Sequence, residues 1–306
     1  MYAARSSTVY LHRVLFSFND AGPWGSAVFV DDNVTLLASA TIFDSNVADR
    51  SALFVSSIRR SYIRLTQGVD FVRNMARLYV GAFRCDGSGV LAEVSDGVRI
   101  VDNFSPLYGG GMMAWGGSHI VARGDVVIRN NLVNDVGHSG CGGLALMFGS
   151  VGELYDGVVV KDNIGIHYGA GVCNQIDSLL VASGNVKIEN NDLLGDLAGA
   201  SGAFGGGGGI LHSDSSSAYL SNGVSISHNT AALGAGFGDR GDRPLDGVIH
   251  MANISVETRK VSTLVHLFYF SICLSIYVHM SISRSLIDRS LYLYTCQRHE
   301  YLSTKD

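Results

Sequence analysis

Small and apolar positions recur along the chain in blocks, and each block ends in an asparagine. Eight times, two small residues precede one apolar residue, and the asparagine follows about twenty residues later. In the four central units this interval is constant, as from Gly111 to Asn131, whereas the connection to the next block varies in length. A fixed block joined by variable connections predicts a stacked repeat. The apolar members of these boxes are Val28, Leu53, Phe83, Met112, Leu144, Val172, Ile210 and Phe237.

A second apolar pattern stands just before each asparagine. Val126 and Ile128, for example, lie five and three positions before Asn131, and the last unit is assigned Val248, His250 and Asn253. Residues two apart that are mostly β-branched or aromatic predict a strand with one buried face. A turn dipeptide of Gly with Asp or Asn precedes this strand, and a weaker apolar pair precedes the turn. With the box, each unit has three short strands.

These patterns predict an all-β protein, a right-handed parallel β-helix of about eight coils with three short strands per coil. The 38 Gly and only 3 Pro suit tight corners and central strands that need every N–H group. The β-helix domain is expected to span residues 1–253, with an incomplete first coil. Residues 1–13 are too polar and too short for a cap or a signal peptide, so we expect the chain to be truncated at its N-terminus.

The recurring asparagines are predicted to be structural. At the same corner of successive coils, a side-chain amide can donate to one neighbour and accept from the next, which forms a ladder along the axis. The central members of the predicted ladder are Asn103, Asn131, Asn163, Asn191 and Asn229.

The repeats resemble those of a known family. The boxes Gly110-Gly111-Met112 and Gly208-Gly209-Ile210, together with Phe16-Ser-Phe-Asn19, Phe43-Asp-Ser-Asn46 and Phe71-Val-Arg-Asn74, resemble the GGAI and FxxN repeats of the chlamydial polymorphic outer membrane proteins. This resemblance covers residues 14–253 and implies a pectin-lyase-like β-helix with an adhesive role at a cell surface. Later units replace the Phe of FxxN by Ile or Val, and no outer-membrane barrel signature follows, so the family's export route is not implied.

The C-terminal segment, residues 254–306, has a different composition and is expected to be non-β, either helical or disordered. Residues 261–283 contain no Asp, Glu, Lys or Arg and are long enough to cross a bilayer. Two interpretations stay open. The segment is a membrane anchor, or it is a translation artefact, since its Ser-, Tyr- and Leu-rich phrases resemble a translated short-period DNA repeat.

Candidate chemistry is sparse. None of the five cysteines forms a C-x-x-C pair, so zinc is not expected, and no metal, cofactor or catalytic residue is predicted. Cys141 and Cys173 fall in different columns of the aligned units, and Cys173 is predicted to be a buried free thiol. The net charge of −5 without a basic stripe gives no reason to expect a nucleic-acid partner.

The longest connection between an asparagine and its box, residues 192–207, is the candidate binding loop, because recognition tends to lie on loops held by a rigid scaffold. Its apolar members are Leu193, Leu194, Leu197 and Phe204. We expect a non-enzymatic repeat protein, extracellular or on the cell surface, that binds a cell-surface protein or a glycan. The alternative is a carbohydrate-active β-helix enzyme, a lyase or a hydrolase, which would gather three or more carboxylates with a basic partner on one exposed sheet face.

Overall fold

A computed structural model describes residues 1–134, 140–166, 168–194, 207–231, 235–240 and 249–258. These residues form a parallel β-helix of about eight coils, in which each strand pairs with its equivalents in the coils before and after it. Three sheets of nine strands run along the coils, and the described residues contain no helix. The predicted fold class is therefore confirmed.

The first sheet contains the boxes. Its strands are β1 (Tyr2–Ala3), β4 (Gly25–Val30), β8 (Ser51–Ser56), β12 (Phe83–Asp86), β16 (Met112–Trp115), β20 (Leu144–Met147), β24 (Val172–Gln175), β28 (Ile210–Ser213) and β31 (Phe237–Arg240), with labels numbered in chain order. The eight apolar box residues pair in one unbroken register from Val28 to Phe237. The small residues before them allow close coil contact, since a Cβ at Gly111 would lie 2.7 Å from the carbonyl oxygen of Gly143.

The second sheet corresponds to the weaker apolar pairs. Its strands are β2 (Thr8–His12), β5 (Thr35–Ser39), β9 (Ser61–Thr66), β13 (Val90–Ser95), β17 (His119–Arg123), β21 (Val151–Leu154), β25 (Leu179–Ser183), β29 (Ser217–Ser221) and β32 (Ile249–Ala252). Buried and outward-facing residues alternate along most of these strands, as expected for a sheet with one face on the core.

The third sheet contains the strands that precede the asparagines. They are β3 (Leu15–Ser17), β6 (Ile42–Asp44), β10 (Asp70–Val72), β14 (Arg99–Val101), β18 (Val127–Arg129), β22 (Val159–Lys161), β26 (Lys187–Glu189), β30 (Ser225–Asn229) and β33 (Ser255–Thr258). Ile128, Val160 and Ile188 pair in register and are fully buried. Val126 and Val158 are buried one residue before their strands, so the predicted core columns are confirmed.

A fourth sheet was not predicted. Its six strands are β7 (Val47–Ala48), β11 (Met75–Ala76), β15 (Phe104–Ser105), β19 (Leu132–Val133), β23 (Ile164–Gly165) and β27 (Asp192–Leu193). Each strand has only two residues and follows the asparagine directly. A pair of residues is too short to show the alternation by which strands are recognised in a sequence.

The described residues at both ends of the β-helix pair with the neighbouring coil. Residues 1–13 are part of the first coil, because β1 pairs with β4 and β2 pairs with β5. At the other end, Val256 pairs with Ile226, which places β33 in the third sheet and extends the β-helix past residue 253. Asn253 is exposed in a turn, and its carbonyl oxygen accepts a hydrogen bond from the N–H of Gly223. The sequence pattern misassigned this unit, because Asn253 lies at the turn beside Gly223 and only 17 residues after Gly236, not 20 as in the central units.

The tail segment 261–283 and Val248 lie outside the described residues. Within the part of the chain that the structure describes, no helix is long and apolar enough to cross a membrane.

Candidate functional site

The asparagines form a continuous hydrogen-bonded ladder from Asn19 to Asn229. The Oδ1 of Asn163 accepts from the side-chain amide of Asn131 at 3.0 Å and from its backbone N–H at 3.0 Å. The Nδ2 of Asn163 donates to Oδ1 of Asn191 at 2.9 Å and to the carbonyl oxygen of Ile128 at 3.0 Å. Both amide atoms are thus used twice, which satisfies buried polar groups and leaves no free atom for a ligand.

The residue before each ladder asparagine has a left-handed backbone. The φ angles are 54° at Phe18 and Arg73 and 53° at Asn130 and Asn190, and the same conformation recurs in the other ladder coils. This corner turns the third sheet into the fourth. Left-handed backbone costs most residues about 1–2 kcal/mol, so the fold accepts a repeated local cost in order to aim the asparagine inward.

The core becomes polar near its C-terminal end. Asn174 and His212 occupy the inward-facing column that holds Cys85, Ala114 and Leu146 in earlier coils. The Nδ2 of Asn174 lies 3.3 Å from Nδ1 of His212 and donates to the carbonyl oxygen of Ser217 at 2.8 Å. Burial lowers the pKa of His212 to about 4, so its imidazole is neutral near pH 7.

Cys173 is not a free thiol, and that prediction is wrong. Cys141 and Cys173 form a disulfide with a Cα–Cα distance of 5.8 Å. The cysteines do occupy different columns, since Cys141 pairs with Gly169 and Cys173 pairs with Ala145. A disulfide requires only that the two Cα atoms lie about 4.4–6.8 Å apart, and a diagonal between adjacent coils meets this condition. Cys85 is the free cysteine of the described residues and is buried.

Aromatic rings form a surface at the N-terminal end of the outer face of the first sheet. Trp24, 45 % exposed, stacks on Phe29 and Phe54 with ring centroids 5.4 and 5.9 Å apart, and Tyr2 stacks on Phe29 at 5.3 Å. We call these four residues the first platform. An open cleft lies between Tyr2 and Trp24 and is also lined by Pro23. Phe54 is fully buried, so Tyr2, Trp24 and part of Phe29 form the exposed side of this platform. Exposed apolar patches with fixed rings are typical of recognition surfaces.

Four more rings continue this surface along the axis. Tyr79 stacks on Tyr108 at 5.6 Å, Tyr108 meets the edge of Trp115 at 5.5 Å, and Trp115 lies 4.2 Å from Phe148. We call these four residues the second platform. Phe148 is 42 % exposed, whereas Tyr79, Tyr108 and Trp115 are partly buried. The two platforms together form the aromatic stripe.

Two guanidinium groups join the platforms. Arg50 lies over the rings of Trp24 and Tyr79 at 4.5 and 5.5 Å, and Arg84 lies over Tyr79 and Trp115 at 4.8 and 5.2 Å. Asp86 binds both arginines, at 2.8 Å from Arg84 and 3.6 Å from Arg50. We call Arg50, Arg84 and Asp86 the guanidinium junction. Guanidinium groups stack well on aromatic faces, which fixes the rings in place.

Arg84 is the most deeply buried charge of the stripe. Only 3 % of the residue is exposed, and its Nε and one terminal nitrogen have no hydrogen-bond partner. Burial lowers the pKa of Arg84, and the charge of Asp86 opposes this shift. A guanidinium stays protonated in proteins, so the ring faces and Asp86 must compensate its lost hydration. Asp31, whose Oδ2 accepts a hydrogen bond from Tyr2 at 3.0 Å, supplies a second carboxylate beside the stripe.

A polar group occupies the outer face of the second sheet. Glu93 and Glu153 lie two coils apart in one register column, with Val121 between them. Glu93 accepts from the hydroxyl of Tyr62 at 2.8 Å, and Glu153 lies 2.9 Å from Nε2 of His119. A further hydroxyl, that of Tyr155, donates to Glu153 at 2.6 Å. Burial first and Glu93 second raise the pKa of Tyr62, so the phenol stays protonated and donates.

The structure describes only part of the predicted binding loop, residues 192–207. Leu193 is buried in β27 and belongs to a coil, whereas Leu194 is exposed at its end. Leu197 and Phe204 lie outside the described residues, so the loop stays a prediction.

An enzyme of this fold was expected to gather three or more carboxylates with a basic partner on one exposed sheet face. In the described ranges, the ion pairs join at most two carboxylates to one basic group, those of Asp20 and Asp49 on Arg77. No group of metal-ligating side chains is present in that same part of the chain.

No family profile, curated protein or solved structure matches the chain. The resemblance to the polymorphic outer membrane proteins therefore agrees with the structure only at the level of a parallel β-helix. The aromatic stripe was missed because several of its rings, such as Trp24, Tyr79 and Phe148, lie outside the strands. A signal was nevertheless present, since Phe29, Phe54 and Arg84 each follow a box residue directly, where the side chain must face outward.

Proposed function

We propose that the protein is a non-enzymatic, extracellular repeat protein that binds carbohydrate on its aromatic stripe. The observation that carries this proposal is the row of stacked rings on the outer face of the first sheet, with Trp24 and Phe148 exposed at its two ends. The C–H face of a sugar ring packs on an aromatic face, and its hydroxyl groups need donors and acceptors at the edges. Arg50 and Asp86 supply both between the platforms.

The charges beside the stripe favour a neutral sugar. Asp31 and Asp86 carry two negative charges, and Arg50 and Arg84 carry two positive ones, so the four side chains balance formally. An anionic ligand would meet the two carboxylates, and a cationic ligand would meet the two guanidinium groups. Hydroxyl groups can use both kinds of partner without a net charge to neutralise.

The disulfide supports an extracellular location. Disulfides such as Cys141–Cys173 persist in oxidising compartments and are rare in the cytosol. The proposal also includes three further points. The repeats are of the polymorphic outer membrane protein type, the chain adheres to a cell-surface glycan, and residues 261–283 attach it to a membrane. Sodium carbonate extraction tests the attachment, because recovery of the chain in the soluble fraction would contradict an anchor.

A glycan array probed with the purified chain tests the binding proposal. We expect binding to neutral glycans that Trp24→Ala weakens at least tenfold, because the substitution removes the largest exposed ring of the first platform. Tyr219→Ala is the matched control, since Tyr219 is 42 % exposed on the second sheet, away from the stripe. Binding to no neutral glycan, or equal loss in both variants, would contradict the proposal.

A second candidate function is glycoside hydrolysis at Glu93 and Glu153. Two coil steps of about 4.8 Å place their strands roughly 9.6 Å apart, close to the upper end of the separation of about 6.5–9.5 Å between the carboxylates of inverting glycosidases. Release of reducing sugar from a polysaccharide panel tests this alternative. This alternative requires that Glu93→Gln and Glu153→Gln each abolish the release of reducing sugar. The folded Trp24→Ala variant is measured beside them for comparison.

A further inference from the structure

We infer that the ligand is a linear neutral glycan that lies along the axis of the β-helix and contacts both platforms at once. This inference rests on the proposed function and specifies the length and direction of the ligand. It follows from the placement of the rings on successive coils, from the junction between them and from the narrow width of the stripe.

The rings are arranged along the axis. Phe29, Phe54 and Arg84 form one column of the outer face on β4, β8 and β12, and Trp115 lies on the next strand, β16. Phe54 and Arg84 are buried and support the surface, whereas Phe29 and Trp115 are partly exposed and can contact a ligand. Adjacent parallel strands are about 4.8 Å apart, so Phe29 and Trp115 lie on strands roughly 14 Å apart along the axis. That distance exceeds one sugar ring and requires a chain of several sugars.

The guanidinium junction makes the stripe continuous. Arg50 contacts rings of both platforms, and its side chain is 26 % exposed, so its donors can reach a ligand that crosses from one platform to the other. Asp86, 21 % exposed, offers acceptor oxygens at the same place. A linear glycan would therefore find ring faces at its two ends and hydrogen-bond partners in the middle.

The platforms are held rigidly before any ligand binds. The buried guanidinium of Arg84 contacts the faces of three rings, and the ring of Trp115 is fixed between Tyr108 and Phe148. A preformed surface loses little conformational entropy on binding, and two linked contacts strengthen each other when one ligand spans both. A ligand perpendicular to the axis, running along a single coil, would instead meet one strand of four residues, such as Met112–Trp115, and only one platform.

Isothermal titration calorimetry with oligosaccharides of two lengths tests this inference. The probes are cello-, manno-, malto- and chito-oligosaccharides of two and six units. For the series that binds, we expect the six-unit chain to bind at least tenfold more tightly than the two-unit chain. Trp24→Ala in the first platform and Phe148→Asn in the second should each remove that length advantage, and Tyr219→Ala should retain it. Asn tolerates the left-handed backbone of Phe148, whose φ is 57°.

The outcomes separate the inference from the proposed function. Equal affinity for the two lengths, or a length advantage that only one of the two substitutions removes, would overturn the axial ligand and leave carbohydrate binding intact. Binding of none of these oligosaccharides by the wild-type chain would overturn the neutral glycan itself. Thermal melts of the variants within a few degrees of the wild type show that the fold is retained.

Discussion

The interior ladder and the outer aromatic stripe occupy the same coils but follow opposite rules. From Asn19 to Asn229 every coil supplies the same side chain in the same conformation. The outward column of the first sheet instead changes at each coil, from Phe54 to Arg84 to Met113 to Ala145. These four residues are nonetheless buried, and the residues of the stripe that reach solvent, such as Trp24, Arg50 and Phe148, lie just outside the strands. Repeated positions therefore maintain the coil, and the exposed part of the stripe comes from residues at the strand ends.

This difference has a physical cause. Each ladder amide needs an identical amide in the next coil, because its Oδ1 and Nδ2 are both used by neighbours. A change at one rung leaves buried groups unpaired on two coils. On the outer face of the first sheet, Met113 and Ala145 instead pack in a second buried cluster with side chains of the connections, such as Tyr168. Because the connections vary in length and sequence, the residues that pack against them also vary from coil to coil.

The largest effect is expected from a charge in the core. Val158→Asp should lower the free energy of unfolding by several kcal/mol or abolish folding, because a buried carboxylate has no partner there. Val159→Asp is the matched control, since Val159 faces outward and pairs with Lys187. Urea denaturation followed by circular dichroism compares the two. Similar losses in both variants would contradict the assignment of inner and outer faces.

Removing one rung of the ladder should have the next largest effect. Asn163→Ala leaves the two donors of Asn131 and the carbonyl oxygen of Ile128 without their partner. Buried unpaired groups cost about 1–3 kcal/mol each, so we expect a loss of about 3–5 kcal/mol in chemical denaturation. The exposed Asn185, replaced by Ala, should change stability by less than about 0.5 kcal/mol. A mild effect at Asn163 would mean that the ladder is dispensable.

Acid should weaken the polar part of the core. The pKa of His212 is about 4 in the folded chain and 6.5 when unperturbed, so the unfolded chain binds a proton first as the pH falls. The stabilising effect of neutral His212 is complete above pH 6.5 and is lost as the pH falls through 4. The difference of about two and a half units between these two pKa values corresponds to about 3 kcal/mol of folding stability. Denaturation at pH 7 and pH 4 should show this loss in the wild type, and a smaller loss in His212→Asn. An equal loss in both would exclude His212 as its source.

The smallest expected effect is a gain in the stability of the fold. Phe18 is 78 % exposed, has a φ of 54° and stands before the first ladder asparagine. Phe18→Asn should raise stability by about 1 kcal/mol, because Asn tolerates this backbone better than Phe does. Tyr10 is similarly exposed but lies in the extended strand β2, so Tyr10→Asn should bring no gain. Thermal melts measure both, and equal gains would attribute the effect to lost surface hydrophobicity.

The features that the sequence could predict are those that repetition amplifies. The box column, the core strands before each asparagine and the role of the ladder were readable because many coils share them. The two-residue strands of the fourth sheet carry too little pattern, and the turn residue Asn253 was grouped with the ladder although it follows Gly236 by 17 residues and not by 20. The disulfide Cys141–Cys173 joins residues of different columns, and the exposed rings of the stripe lie at or beyond the strand ends. A comparison of equivalent positions in successive coils cannot show either kind of contact.

The composition of the stripe also gives the protein an internal optical probe. The chain has 2 tryptophans, Trp24 and Trp115, and both belong to the stripe, one in each platform. Each indole has a guanidinium group within 4.5 or 5.2 Å of its ring centroid. Intrinsic indole emission therefore comes from this surface alone, and its wavelength and its quenching by iodide or acrylamide report events there without a label. Single replacement of either indole by phenylalanine assigns the signal to one end of the surface.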